Sequence, residues 1–188
     1  MLTFDDSTHS YFWQGKPVPG VTTVLKALHS FDGVPEAIMA LAQDRGTAVH
    51  LACEYFDRGI LDEMSLDERI VGYVQAWKRF RSENVCEWSH IETQCFHPLL
   101  RYAGTLDRAG TIKGERWLID IKTSIASHAV WGVQTSAYAN AMSMPNVRRG
   151  TVQLRKDGTY RMIEWKSPND WPVFVSLLTI NNFLEQNK

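Results

Sequence analysis

The chain has 188 residues, enough to bury one core and too few for two comfortable ones, so a single domain is expected. Apolar residues make up 44% and charged residues 22%, and no run of about 18 apolar residues occurs, so no membrane span is expected. The net charge of −1 says nothing for nucleic acid by itself, but residues 1–100 hold 8 basic and 14 acidic side chains and residues 101–188 hold 12 and 7. Such asymmetry suits a basic face on a near-neutral protein, and equally suits an ordinary scatter of surface charge.

Residues Met1 to Ser10 carry two Asp and no basic residue, and lack the charged start and apolar middle of a signal peptide. Cys53, Cys86 and Cys95 show no CxxC spacing and cannot all pair. That cysteine usage suits a reducing cytosol and argues against a structural zinc or a four-cysteine iron–sulfur cluster.

In chain order, Phe4 to Val18 reads as strand, turn and strand about Gln14-Gly15-Lys16, with a short helix over Val21–Leu28. A long helix is predicted from Pro35 to Gly59, with an apolar stripe at Ile38, Leu41/Ala42, Val49, Ala52 and Phe56. A second begins near Ser65, where Ser65 and Glu68 have capping-box spacing, and runs to Glu83. Glu87 to Thr123 patterns as strands with turns near Gly104, Gly110 and Gly114. A helix over His128–Met142 follows, then strands over Arg148–Arg155 and Tyr160–Trp165 joined by a D-G turn, then a helix from Ser167 to Glu185. The class is α+β (mixed α/β): an N-terminal hairpin and short helix (1–30), a helical part (34–84) and a sheet core with flanking helices (87–188).

The stretch that carries chemistry is Gly104-Thr105-Leu106-Asp107, then Leu118-Ile119-Asp120-Ile121-Lys122-Thr123. Strand alternation puts Asp120 and Lys122 on one face and Ile119 and Ile121 on the other. An acid and a lysine inside an apolar strand are costly to bury unless they pair or bind a metal. Asp107, on the preceding strand of a hairpin, adds a carboxylate, and two such oxygens suit Mg²⁺ or Mn²⁺. An isolated D-x-K is common and carries little weight. His50 lies on a helix beside the apolar stripe, with Gly46 one turn earlier on the same face. Gln134 and Tyr138 share a helix face at i, i+4. Each of these features, taken alone, is as readily structural.

In order, Gly46…His50, Gly104…Asp107, Asp120-Ile121-Lys122 and Gln134…Tyr138 resemble the pattern of the RecB-like branch of the PD-(D/E)XK nuclease superfamily. The four motifs span about half the chain. The opening, His9-Ser10-Tyr11, Gly15-Lys16 and Val18-Pro19-Gly20-Val21-Thr22-Thr23, looks like small phage-encoded members of that group. The resemblance implies a restriction-endonuclease-like core, a central mixed sheet flanked by helices. It implies that His50, Asp107, Asp120 and the Ile121 backbone carbonyl ligate Mg²⁺ or Mn²⁺. Glu92 is a candidate for a second metal, in competition with Glu87 and Glu115, and Glu54 is a possible outer-shell acid. Lys122 is implied as the catalytic lysine, with Asp107 and Asp120 beside it as catalytic carboxylates. Gln134 and Tyr138 would position DNA.

No iron–sulfur cluster is expected. The implied substrate is DNA, single-stranded or at duplex ends, held mainly through phosphates. The basic candidates are Arg101, Arg108, Lys113, Arg116, Arg148, Arg149, Arg155 and Lys156. Trp131 and Tyr138 are candidates for stacking on unpaired bases. The implied setting is replication, repair or recombination, alongside a protein of those processes, in the cytoplasm (a bacterial host's, if phage-encoded), with no membrane partner and with an oligomer open. The expected activity is that of a DNA exonuclease. A structure-specific or sequence-tolerant endonuclease, and a catalytically idle DNA- or protein-binding module, are the alternatives.

Overall fold

The protein is described from a computed structural model, covering residues 1–28, 36–124, 128–144 and 146–187. Strands β1 (Leu2–Asp5), β2 (Ser10–Trp13) and β3 (Lys16–Val18) form a small antiparallel sheet in that order. The expected hairpin thus gains a strand, with Phe4 paired to Tyr11. The sheet joins the main body where the Ala103 N–H donates to the Pro19 carbonyl at 3.0 Å. Helix α1 (Val21–Leu25) passes directly into a 3₁₀ turn, Lys26–Leu28.

Helix α2 (Glu36–Asp57) ends two residues before Gly59, and Pro35 lies outside the described residues. Only the C-terminal half of its predicted stripe is buried. Val49, Ala52 and Cys53 enter a core shared with the next helix and the sheet, whereas Ile38 and Leu41 are 57% and 62% exposed and belong to no cluster. That next helix, α3 (Val71–Glu83), starts six residues later than predicted. The Ser65–Glu68 box does not form, because two aspartates hold the backbone in local turns. Asp62 accepts from the Met64 N–H at 3.0 Å, and Asp67 accepts from the Arg69 N–H at 2.8 Å.

Five strands make the central sheet: β4 (Cys86–His97), β5 (Tyr102–Ile112), β6 (Glu115–Lys122), β7 (Arg148–Leu154) and β8 (Tyr160–Trp165). They lie in sequence order, with β6 and β7 parallel and every other pair antiparallel. Helix α4 (Val130–Ala141) lies between β6 and β7 in the chain, where a parallel pair needs a crossover, and α5 (Asp170–Gln186) follows β8. This is the expected mixed sheet flanked by helices. Leu106 and Leu118 pack with α1, α4 and α5, while Ile119, Ile121 and Val152 pack with α2 and α3. Gly104 and Gly110 are not turns. Both sit inside β5, where close neighbours leave no room for a side chain. A Cβ on Gly110 would lie 2.0 Å from the Glu87 carbonyl, and one on Gly104 would lie 2.5 Å from the Tyr138 ring.

Candidate active site

The β5–β6 ladder runs from Ile112↔Glu115 to Arg108↔Ile119 and stops there. Beyond it the Asp107 carboxylate, not a backbone carbonyl, accepts the Ile121 N–H, at 2.6 Å. The two strands therefore part where the two expected acids face each other, and a cleft of about 700 Å³ opens over them. Its floor comes from β4, β5 and β6, and one wall from α2. On that helix Gln43, Gly46, Thr47, His50, Leu51 and Glu54 recur at three- and four-residue spacing, a second stripe beside the buried apolar one. The opposite wall is built by the N-terminal sheet, α1 and α4, which bring Phe4, Tyr11, Thr22, Gln134 and Tyr138 to the cleft. All four sequence motifs thus meet in one cavity.

His50 enters from α2. Its Nε2 lies 2.9 Å from the Ile121 carbonyl, which can only accept, so this nitrogen carries the proton. Nδ1 is left facing Asp107 Oδ2 at 3.6 Å and Glu92 Oε1 at 3.7 Å. The ligand atoms of His50, Glu92 and Asp107 all lie within 4.8 Å of one another. Small side-chain adjustments would place them about 2.0–2.2 Å from a common divalent ion. The Ile121 carbonyl, expected as a metal ligand, accepts from His50 and fixes the tautomer and orientation of its ring, a familiar supporting role at metal sites.

Asp120 does not join that cluster. It is 1% exposed, and the Lys122 ammonium lies 3.0 Å from Oδ1 and 2.9 Å from Oδ2. Burial pushes the Asp120 carboxyl up to about 6, with Lys122 opposing the rise. Burial raises Asp107 as well, against the pull of His50. Burial by itself would lower His50, but Asp107 and Glu92 outweigh it and hold the imidazole at about 9. In Lys122 the same opposition keeps the ammonium charged, since Asp120 and Asp107 more than offset its burial.

Glu92 is in the active cluster, and its competitors are not. Glu87 sits in β4 opposite Thr111, remote from the cleft, and Glu115 pairs with Arg148. Glu54 lines the cleft but pairs with Arg58 at 2.8 Å. Glu92 lies in β4 opposite Asp107, between the pairs Ile91↔Arg108 and Thr93↔Leu106, yet its φ is +44°. A left-handed residue within a strand is strained and needs outside support. Arg108 supplies it. Its Nη1 donates to Glu92 Oε1 at 2.8 Å and to the Asp107 carbonyl at 2.7 Å, and its Nε donates to Asp57 Oδ2 at 2.7 Å. Asp57, at the end of α2, also accepts from Trp77 Nε1 at 3.1 Å and faces Arg81 Nε at 3.0 Å. Arg108 was expected among basic DNA contacts, but it is 0% exposed and its charge is spent on this network. Its position could have flagged it, because the residue after Asp107 on a strand must face the opposite, apolar side.

Gln134 and Tyr138 line the cleft, with Gln134 Nε2 donating to the Tyr138 hydroxyl at 3.1 Å. Three other expected DNA contacts lie elsewhere. Trp131 is 3% exposed and packs edge-on against Trp165 in the core under α4, so it offers no face to a base. Arg148 and Arg149 stand at the start of β7. In the β6–β7 register Arg148 faces Trp117 while Gln153 faces Lys122, so five residues, roughly 16 Å of strand, separate the arginines from the cleft. Arg148 stacks on Trp117 and pairs with Glu164, and Arg149 pairs with Asp170 at 2.9 Å. Of the remaining cleft residues, Phe4 and Asp6 were singled out by nothing in the sequence, whereas His9 and Tyr11 belong to the opening that carries part of the resemblance.

No family model and no curated protein sequence matches the chain. Solved structures with a related arrangement include the crystal structure of SSO0001, at 15% identity and a TM-score of 0.42, over 90% of this chain and 76% of that one. Another is the crystal structure of LHK-Exo in complex with dAMP, at 15% identity and a TM-score of 0.34, over 90% and 92%. Likeness at that level says nothing about chemistry, which rests on the side chains of the cleft.

Proposed function

We propose that the protein is a divalent-metal-dependent deoxyribonuclease acting as an exonuclease. The observation that carries this reading is the convergence of His50, Glu92 and Asp107 beside the buried Asp120–Lys122 pair in one open cleft. One imidazole and two carboxylates fit Mg²⁺ or Mn²⁺, with the nitrogen favouring tolerance of Mn²⁺. Such an ion, when bound, polarises a phosphodiester and lowers the pKa of a bound water. The chain's own residues do the rest. Lys122, kept charged by Asp120, places its ammonium where it orients the attacking water or meets charge developing on the phosphate. Water oxygen bonds to phosphorus, the bridging P–O bond breaks, and the leaving oxygen takes a proton. Gln134 and Tyr138 hold the strand against the floor of the cleft.

The test is release of nucleotides from end-labelled linear DNA, with and without Mn²⁺, beside closed circular single-stranded DNA, which an exonuclease leaves intact. Asp107→Ala, Asp120→Ala and Lys122→Ala should each lower the rate by at least about 100-fold while thermal melting shows a folded protein. Full activity in Asp120→Ala would remove this assignment.

A further inference from the structure

The cleft is short of cations. Among the described residues, Asp6, Glu54, Glu92, Asp107 and Asp120 line it, against Lys122, which is already paired with Asp120, and His50, which faces Glu92 and Asp107, and no arginine is among them. A track of phosphates would be repelled along most of this surface. The cleft is instead rich in rings at the wall facing α2. Phe4 and His9 meet edge to face with centroids 5.0 Å apart, and Phe4 lies 4.6 Å from the Tyr11 ring. Phe4 is half-buried and His9 exposed, so the pair borders open space. His9 adopts φ +51°, an uncommon backbone for a residue with a side chain, which sets its ring against Phe4. The wall is tied to the metal cluster. The Tyr11 hydroxyl lies 2.9 Å from Thr105 Oγ1, and Thr105 stands two residues, roughly 7 Å, before Asp107 on the same face of β5. The cleft's volume of about 700 Å³ lies in the range of small-molecule sites.

We infer that the Phe4–His9 wall is a nucleobase-stacking subsite, and that the cleft takes an unpaired nucleotide by its base, with a phosphate held only at the metal cluster. This rests on the nuclease reading and names its substrate: a single strand, or a duplex end whose final base has left the stack. It also replaces the expectation of binding mainly through phosphates. Rings suit this task because every base has a π-face, so stacking is tolerant of sequence and worth about 1–3 kcal/mol per base.

Binding separates this inference from the nuclease reading itself. In a Lys122→Ala background with Mg²⁺, the affinity of a fluorescent single-stranded 10-mer is measured by anisotropy, beside copies abasic at the 5′ or the 3′ terminal nucleotide. Loss of the base at one end should weaken binding about 5- to 100-fold. Phe4→Ala and His9→Ala should weaken binding of the intact strand and leave binding of that abasic strand unchanged. Phe4→Trp should retain it. The log–log salt dependence should have a slope shallower than about −2, as for no more than three phosphates. Equal losses for intact and abasic strands in the two alanine variants, or no loss in either, would overturn the subsite, and so would a steep salt slope. His9 is exposed, so His9→Ala stays informative if Phe4→Ala melts early. A wild-type protein that binds in this base-dependent way yet never cuts DNA would refute the nuclease reading and leave the subsite standing.

Discussion

At the scale of single residues, burial and neighbouring charge pull the titrating groups of the site in opposite directions. Asp120 sits at about 6, above its ordinary value of 3.8, so its favourable contribution is present below about pH 4 and lost as pH rises through 6. His50 sits at about 9, above 6.5, so its contribution is complete below about pH 6.5 and lost as pH rises through 9. Both act in the same direction. In EDTA, the melting temperature should fall between about pH 5 and pH 9 by more in the wild type than in His50→Gln/Asp120→Asn. Added Mn²⁺ should raise it most at the alkaline end, where no proton competes for His50. A pH-independent melting difference between the two proteins would contradict this. Arg108 makes a second prediction. Arg108→Met leaves the buried Asp57 with only Trp77 and Arg81 and Glu92 without its donor, and should cost up to about 3 kcal/mol, read from urea unfolding. Arg108→Lys keeps the charge without the fork of donors and should fold better, yet need more Mn²⁺ for half-saturation.

At the scale of elements, the legible features were those fixed by local chemistry. The period-two pattern of β6 placed Asp120 and Lys122 on one face, and β7, β8 and α4 fall within a residue or two of their predicted bounds. The misreadings came where distant partners decide. Gly104 and Gly110 have the composition of turns, but they are the places where a strand admits the Tyr138 ring or the backbone of β4. Gly110→Ala should therefore destabilise by about 1–3 kcal/mol, through backbone that must shift. Gly104→Ala meets a side chain that can move, and should instead displace Tyr138 and lower activity more than stability. Comparing the two by melting and by nuclease rate checks the contrast. The late start of α3 has the opposite origin, since the turns at Asp62 and Asp67 span two residues and outcompete a capping box that spans three. Glu92 could be proposed from the sequence but not chosen over Glu87 and Glu115, because only the β4–β5 register sets it opposite Asp107.

At the scale of the whole molecule, the candidate site is a meeting of three parts: the edge of α2, the parted strands of the main sheet, and the small N-terminal sheet. The sequence motifs report the first two, because His50, Asp107, Asp120 and Lys122 have chemistry unusual for their positions. The third is reported only by the opening with His9-Ser10-Tyr11, while Phe4 reads as any strand hydrophobic. Among the described residues no helix is long and apolar enough to cross a membrane. The Asp57–Arg108 bond has a consequence for how the molecule comes into being. It links residues 51 apart in sequence, and the cluster it supports draws on α2, β4 and β5 together. During synthesis the chain must therefore be complete past β5, and the helix and strands docked, before the three side chains can converge. A chain that ends before β5 lacks Asp107, and one that ends after it gains the three-residue cluster only once α2 has docked on the strands.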